Sequence, residues 1–321
     1  MLICTGRYST WYRRRFSLKT TFEEYSMTTF YRRLPRLDYT RPASLDEALS
    51  FLSQYKDRAK AFAGGTDLIP AVKRRELPTP AFFVDLKGIP GLDRITYDTS
   101  TGLSIGALAS ITSVERSALV REHCPMLAQA VTTLASPQVR NRGTITGNIC
   151  SAVPSADTAP SLLVLEAKLK LVSSRGTRVV PVVEFFSGPR KTILADDEIV
   201  TEIHIPPSPP KSKGIYLKLS PRKSMDLAVV GVAAFVTLNG DVCKEGRVAL
   251  GAVAPTPIRA RKAESALVGK KLTAETIEEV ARTASTECSP IDDHRASAEY
   301  RCDMVYVLTR RALNQLKEEV V

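Results

Sequence analysis

The sequence lacks the motifs of several common enzyme classes. It contains no G-x-x-x-x-G-K-[ST] phosphate loop, no G-x-G-x-x-G fingerprint that opens a helix after a strand, and no G-x-S-x-G nucleophile elbow. Its six cysteines form no C-x-x-C pair, and its three histidines lie far apart in the chain. These absences argue against a P-loop nucleotidase, a Rossmann dehydrogenase, an α/β-hydrolase, and a metal or iron–sulfur centre bound by this chain.

Long hydrophobic runs are also missing. The longest apolar run, residues 227–236, holds ten residues, whereas a membrane-spanning helix needs about 20. The net charge of +11 invites a nucleic-acid hypothesis, but no basic stripe is interleaved with aromatic residues, which make up 7% of the chain. A soluble protein with a basic surface is therefore favoured, and nucleic acid is not an expected partner.

The composition is that of an ordinary globular protein. Its 321 residues, 44% of them hydrophobic, correspond to about two domains of roughly 150 residues each. A chain of this size can bury a core without disulfides, so its thiols are expected to be reduced in a cytoplasm. A cytoplasmic location is the corresponding prediction.

Composition also indicates where the domains divide. The Arg-rich start shows no sustained periodicity, so residues 1–28 are predicted to be an unstructured leader, and both Met1 and Met27 stay open as the true start. Consecutive prolines in 206–210 indicate a linker. We therefore expect one domain at 29–208, with subdomains of about 29–87 and 88–208, and a second domain at 211–321.

The periodicity predicts an α+β protein. Capping boxes at Ser44/Glu47 and Thr112/Glu115 each predict the start of a helix. Short apolar runs predict strands at 60–63 and 81–86 and several more up to residue 205. The C-terminal part reads as strands followed by helices, with strands near 214–219, 227–238 and 247–253, and helices near 260–269, 274–287 and 296–318.

Two glycine-containing segments carry the candidate chemistry. The first glycine segment, residues 61–68, is a strand followed by Gly64-Gly65, a hydroxyl residue and a carboxylate. Adjacent glycines remove the Cβ atoms that keep a ligand away from the backbone, and their N–H groups can surround an anion such as a diphosphate. The second glycine segment, residues 143–157, is a loop rich in small and hydroxyl residues that ends at Asp157. A carboxylate repels phosphate, so Asp157 would face ribose hydroxyls or ring N–H groups.

Ordered motifs over nearly 300 residues resemble one family. They are Ala-Gly-Gly-Thr-Asp-Leu at 63–68, Thr-Ile-Thr-Gly-Asn at 144–148 with Asp157, the opening at 39–48, the stretch 197–203, Tyr-Leu-Lys at 216–218 with Arg222, and Ser-Ala-Glu-Tyr-Arg at 297–301. Together they are similar to the FAD-binding medium subunit of the molybdenum hydroxylases, the family of xanthine dehydrogenase, aerobic carbon monoxide dehydrogenase and hydroxybenzoyl-CoA reductase. The resemblance implies a vanillyl-alcohol-oxidase-type (PCMH) FAD domain of two α/β subdomains, plus a C-terminal domain of a small antiparallel sheet and helices.

The resemblance also implies non-covalent FAD and the residues that contact it. The first glycine segment would wrap the diphosphate, the second would line the other side, and the remaining positions match the flavin surroundings and the rim of the site. The implied residues are Ala61, Phe62, Ala63, Gly64, Gly65, Thr66, Asp67, Leu68, Leu134, Thr144, Gly147, Asn148, Asp157, Val200 and Lys218. None of them is an implied catalytic acid or base.

The second glycine segment departs from the family pattern at one position. The family usually has two consecutive glycines before the asparagine, whereas this sequence has Thr146-Gly147. A β-branched residue disfavours positive φ. Either Thr146 has an ordinary φ, or the segment is shifted and FAD binding is weakened; we favour the first alternative, because the rest of the motif is intact.

The resemblance further implies that substrate chemistry takes place on other chains. A small subunit with [2Fe-2S] clusters and a large molybdopterin subunit would be the partners, in an (αβγ)2 assembly, with NAD, quinone or ferredoxin as redox partner. The chain would pass electrons between the clusters and that partner as an oxidoreductase subunit. A stand-alone FAD oxidase or reductase of the same wider fold is the alternative. The organic substrate and the final acceptor are not encoded in this sequence.

Overall fold

The computed structural model describes residues 34–222 and 225–320. The predicted leader at 1–28, both candidate start methionines and the first residues of the predicted FAD domain lie outside these ranges. Over the described ranges the chain has α+β architecture with separate sheets, as the sequence predicts. None of the helices within those ranges is long and apolar enough to cross a membrane.

The first region is a small α/β unit. Its three strands form a parallel sheet with the strand order β1-β3-β2, and α1 packs against it. Ser44 begins α1 by accepting a hydrogen bond from the Glu47 amide, and Ala48, Leu49 and Leu52 line its buried face. The elements are β1 (Asp38–Thr40), α1 (Leu45–Tyr55), β2 (Ala59–Phe62), α2 (Leu68–Arg74) and β3 (Phe82–Asp85).

The second region surrounds a five-stranded sheet with short helices. The strand order is β4-β5-β10-β6-β7, all neighbours are antiparallel, and the helices pack on the sheet. The elements are β4 (Ile95–Asp98), β5 (Gly102–Gly106), α3 (Ile111–Arg116), α4 (Ala118–His123), α5 (Pro125–Thr132), α6 (Pro137–Arg140), α7 (Ile145–Cys150), α8 (Thr158–Val164), β6 (Lys168–Ser173), β7 (Gly176–Pro181), α9 (Val182–Phe185), β8 (Phe186–Gly188), β9 (Lys191–Thr192) and β10 (Ile199–Ile205).

Two sequence predictions in this region are wrong. The second glycine segment is not a loop throughout, because α7 begins at Ile145, with the Thr144 hydroxyl accepting a hydrogen bond from the Gly147 amide at 2.9 Å. The Thr112/Glu115 pair is not a cap either. Ser110 begins α3, whereas the Thr112 hydroxyl donates to the Asn141 side-chain oxygen at 2.7 Å.

The third region is a four-stranded antiparallel sheet covered by helices. Strand β12 is apolar on both faces because it separates two cores: Ala233 and Phe235 face the core of the second region, whereas Val232 and Val236 face α10, α11 and α12. The elements are β11 (Ser212–Leu219), β12 (Val230–Asn239), β13 (Val242–Gly251), β14 (Ile258–Arg259), α10 (Arg261–Leu267), α11 (Ala274–Thr286) and α12 (Ala298–Val320). This packing places β11 against α5 and α8 of the second region.

Candidate functional site

The first glycine segment is a tight connection between β2 and α2. Gly65 has φ +72°, a left-handed conformation that side chains other than glycine rarely adopt. A Cβ atom at Gly65 would also lie 2.4 Å from the Phe62 ring. Only glycine therefore fits this position.

A lysine behind the segment holds one of its carbonyl groups. Lys87 Nζ donates to the Ala63 carbonyl oxygen at 2.8 Å and to Asp85 Oδ1 at 2.6 Å, and it lies 4.2 Å from the centroid of the Phe62 ring. Asp85 is buried and also accepts a hydrogen bond from the Tyr39 hydroxyl. The orientation of the Ala63 peptide is thus held by Lys87, which the Asp85 carboxylate holds in turn.

The second glycine segment packs directly on the first. A Cβ atom built on Gly64 would lie 2.0 Å from the Arg142 carbonyl oxygen and 2.9 Å from the Gly143 Cα. A Cβ atom on Gly143 would in turn lie 3.3 Å from the Thr66 hydroxyl oxygen. The absence of side chains at Gly64 therefore allows two backbone segments, almost 80 positions apart, to touch.

Both segments border one cavity of about 360 Å³. This volume lies within the usual range of small-molecule sites, roughly 300–1,000 Å³. A third wall comes from the stretch between β8 and β10, which contributes Arg190, Thr192, Leu194 and Glu198. Eleven of the sequence-predicted site residues line the cavity: Ala61, Phe62, Ala63, Gly64, Gly65, Thr66, Asp67, Leu68, Thr144, Gly147 and Val200.

Thr146, which stands where the family usually has a glycine, also lines the cavity. Its conformation shows whether this position needs a positive φ. Within the described residues Thr146 is not among those with positive φ, and it lies inside helix α7, so its φ is ordinary, as favoured above. Its hydroxyl oxygen is buried and has no hydrogen-bond partner among the residues that the structure describes. A buried hydroxyl without a partner is costly, so it marks a place where a bound molecule can supply one.

The other four predicted site residues lie away from the cavity lining, near the contact between the second and third regions. Asp157 is buried and accepts hydrogen bonds from Lys218 Nζ at 2.8 Å and from the Tyr216 hydroxyl at 2.9 Å. Lys218 Nζ also donates to the Thr133 carbonyl oxygen, next to the buried Leu134. We call Asp157, Tyr216 and Lys218 the interdomain polar cluster.

Burial controls the protonation of this cluster. Burial raises the pKa of the Asp157 carboxyl above its ordinary value, whereas the charge of Lys218 and hydrogen bonds from Lys218 and Tyr216 act in the opposite direction. Burial and the neighbouring carboxylate raise the pKa of Tyr216 well above its ordinary value. The phenol therefore stays protonated and donates to Asp157 near neutral pH.

Helix α7 and the residues after it connect the cavity to the interdomain polar cluster. Thr144 and Gly147 line the cavity, whereas the Asn148 side-chain oxygen accepts a hydrogen bond from the Thr158 hydroxyl at 2.7 Å, directly after Asp157 in the chain. The two groups of predicted site residues thus lie at opposite ends of one short stretch. The motif at 144–157 spans this stretch, whereas Leu134 and Lys218 were predicted from the family resemblance at other positions.

Comparison with known proteins identifies the family of the chain. The family described as "FAD binding domain in molybdopterin dehydrogenase" matches residues 33–208, and "CO dehydrogenase flavoprotein C-terminal domain" matches residues 215–316. The chain belongs to the FAD-binding subunits of the molybdopterin dehydrogenases.

Relatives match this FAD-binding subunit over nearly their whole length. It is 36% identical over 280 residues to the carbon monoxide dehydrogenase medium chain of Hydrogenophaga pseudoflava, covering 87% of this chain and 96% of the relative. It is 34% identical over 278 residues to the xanthine dehydrogenase FAD-binding subunit of Escherichia coli O157:H7, covering 86% and 94%. A solved chain of Hydrogenophaga pseudoflava carbon monoxide dehydrogenase has a TM-score of 0.87 at 36% identity, covering 90% of this chain and 100% of that one.

These matches confirm the family, the fold class and FAD as cofactor. The site itself is compatible with FAD, because both glycine segments line one cavity and the Thr146 hydroxyl in its wall is buried without a partner among the described residues. Sequence reasoning missed Thr146 as a residue that lines the cavity, and it missed the wall from Arg190, Thr192 and Glu198. In the sequence, only the departure of Thr146 from the family pattern pointed to this residue. The wall between β8 and β10 is brought to the cavity by the tertiary fold, and no local sequence motif marks it.

Proposed function

We propose that this FAD-binding subunit carries electrons in a molybdenum hydroxylase complex. A small subunit with [2Fe-2S] clusters and a large molybdopterin subunit would be its partners, in an (αβγ)2 assembly in the cytoplasm. FAD, when bound, exchanges electrons singly or in pairs, which suits a link between one-electron clusters and a two-electron partner such as NAD, quinone or ferredoxin. The single observation that carries this proposal is the backbone contact of the two glycine segments at the border of one cavity.

In this proposal the chain's own residues bind and position the cofactor and carry out no acid–base step. The two glycine segments would hold the diphosphate through main-chain N–H groups, with Val200 at the rim. Leu134, Asn148, Asp157 and Lys218 would meet the same extended cofactor beyond α7. The separate three-, five- and four-stranded sheets support the division near residue 87 and between 208 and 211 that the sequence suggests.

A stand-alone FAD oxidase or reductase is the second candidate function. Such an enzyme needs its own substrate-binding domain over the flavin. Residues 215–316 instead match the C-terminal domain of a carbon monoxide dehydrogenase flavoprotein, which favours the subunit role.

Gentle affinity purification of the tagged chain from its own cells distinguishes these two functions. We expect two further chains to co-purify, with molybdenum and iron in addition to one FAD per tagged chain. The subunit role is contradicted if the FAD-loaded chain elutes alone and by itself oxidises an organic substrate. The measurement combines mass spectrometry, metal analysis and flavin absorbance.

Thr146 should donate a hydrogen bond to bound FAD. Thr146→Val keeps the shape of the side chain and removes the hydroxyl, so we expect FAD affinity to fall about tenfold, the equivalent of one hydrogen bond of about 1.4 kcal/mol. The FAD-free variant should be more stable than the wild type, because an unpaired buried hydroxyl has been removed. FAD titration by fluorescence and urea unfolding of the FAD-free protein measure the two effects.

Thr309 provides the matched control. Its hydroxyl is also buried without a hydrogen-bond partner among the described residues, but it lies on α12 and not in the cavity. Thr309→Val should gain stability in the same way with unchanged FAD affinity, and Thr146→Ser should retain FAD binding. Equal FAD affinity of the wild type and Thr146→Val would show that Thr146 has only a packing role.

A further inference from the structure

Two cysteines outside the FAD site lie close together in the third region. Cys288 follows the end of α11, and Cys302 lies in the second turn of α12. Their Sγ atoms are 3.0 Å apart, about 1 Å more than a covalent S–S bond of about 2.05 Å. Both side chains are half-buried, so a small reagent can reach them.

The surrounding contacts hold this pair in place. Between the two cysteines, the Ser289 amide donates to the Val253 carbonyl oxygen at 2.8 Å, which ties the loop to the end of β13. Arg301, adjacent to Cys302, is buried and donates to the Val229 carbonyl oxygen at 2.7 Å and to Asp293 at 2.8 Å. Both ends of the loop are thus anchored to the sheet, and the approach of the sulfur atoms follows from the fold of this region.

We propose that Cys288 and Cys302 are a reversible disulfide site, oxidised by exchange with a small disulfide of the glutathione type. Burial and the neighbouring thiol of Cys302 raise the pKa of Cys288 to about 12, which keeps its thiol protonated at neutral pH. Since the thiolate is the reacting form, oxidation is slow at neutral pH and becomes faster as the pH rises. Closure at neutral pH is therefore slow and needs sustained exposure to the oxidising disulfide.

The reaction takes place in two exchange steps. One cysteine thiolate attacks a sulfur of glutathione disulfide; a protein–glutathione S–S bond forms, the glutathione S–S bond breaks, and the released glutathione thiolate takes up the proton. The thiolate of the second cysteine then attacks the sulfur of the first cysteine in this mixed disulfide. The S–S bond between the two cysteines forms, the bond to glutathione breaks, and the second glutathione leaves and takes up a proton to become a thiol. Overall, two electrons and two protons pass from the two cysteines to glutathione disulfide.

Closure of the disulfide would join α11 to α12 around the loop at 289–301. Cross-linking a loop of this length restricts the unfolded chain and stabilises the folded one. We expect the Tm of the FAD-loaded chain to rise by about 5 °C on oxidation and to return to its starting value with dithiothreitol.

The test treats the full FAD-loaded chain with glutathione disulfide, in a Cys4→Ser background that removes a thiol outside the described residues. We expect peptide mapping to find Cys288 linked to Cys302, the loss of two thiols per chain, and faster closure at mildly alkaline pH. Cys288→Ser and Cys302→Ser should each leave the remaining cysteine bound to glutathione, with no rise in Tm. The proposal is overturned if the background protein keeps both thiols free, or carries a separate glutathione on each.

Discussion

Gly64→Ala should lower FAD affinity by about 10- to 100-fold while the chain stays folded. The new Cβ atom would lie 2.0 Å from the Arg142 carbonyl oxygen, and its next contacts, with the Arg142 carbonyl carbon and the Gly143 Cα, are also with backbone atoms. Backbone atoms cannot rotate away, so the two glycine segments must separate. Overpacking of this kind costs about 1–3 kcal/mol, and each 1.4 kcal/mol is a factor of ten in affinity. Equilibrium dialysis with FAD measures the loss, and circular dichroism checks folding.

Gly188 provides the control for this substitution. A Cβ atom there would meet Lys191 at an ordinary 4.0 Å, and Gly188 is not among the described glycines with positive φ. Gly188→Ala should therefore bind FAD as the wild type does. If Gly64→Ala also retained full affinity and stability, the contact between the two segments would not be needed for the site. The sequence suggested that Gly64 lacks a side chain to let the diphosphate approach. The structure gives a different reason, because a side chain at Gly64 would collide with the backbone of Arg142 and Gly143.

Lys218→Met should destabilise the protein by about 3–5 kcal/mol at neutral pH. The side chains of Lys218 and Asp157 are 7% and 6% exposed, so the substitution leaves a carboxylate buried without its counter-charge. Loss of the lysine raises the pKa of Asp157 in the folded protein further. A carboxyl whose pKa is raised by folding stabilises the folded protein while it is protonated, and this contribution is lost as the pH rises through the folded-state pKa. The difference from the wild type should therefore grow between acidic and neutral pH. Urea unfolding at several pH values measures it.

Two further variants separate the buried pair from the lysine alone. Asp157→Asn combined with Lys218→Met removes both charges, so we expect it to recover part of the stability lost in Lys218→Met. Lys271→Met removes an exposed ion pair with Asp241, in which the side chains are 60% and 63% exposed, and should change stability by about 0.5 kcal/mol or less. Equal effects of Lys218→Met and Lys271→Met would contradict a buried ion pair at this position.

The sequence predicted the C-terminal fold well because its patterns are local. The apolar run at 227–238 corresponds to β12, and the three C-terminal helices lie within a few residues of their predicted ranges. The first glycine segment was found for the same reason, since a strand, two glycines and a helix follow one another directly. Local periodicity carries most of this information.

The second glycine segment was harder to predict from sequence. Glycine and threonine are poor helix formers, so residues 145–150 resemble a loop, but the Thr144 cap and packing on neighbouring elements make them helical. The Thr112/Glu115 pattern competed with Ser110, and nothing local distinguishes the two caps. The separation of the interdomain polar cluster from the cavity depends on how β11 packs against α5 and α8, which is a tertiary contact without a sequence motif.

Hydrogen–deuterium exchange with and without FAD tests the central claim most directly. The claim is that main-chain amides of both glycine segments hold the cofactor's diphosphate. We predict that one equivalent of FAD slows exchange in residues 64–67 and in residues 144–148 together, with the same dependence on FAD concentration. FAD binding that leaves the exchange of either segment unchanged would contradict the account.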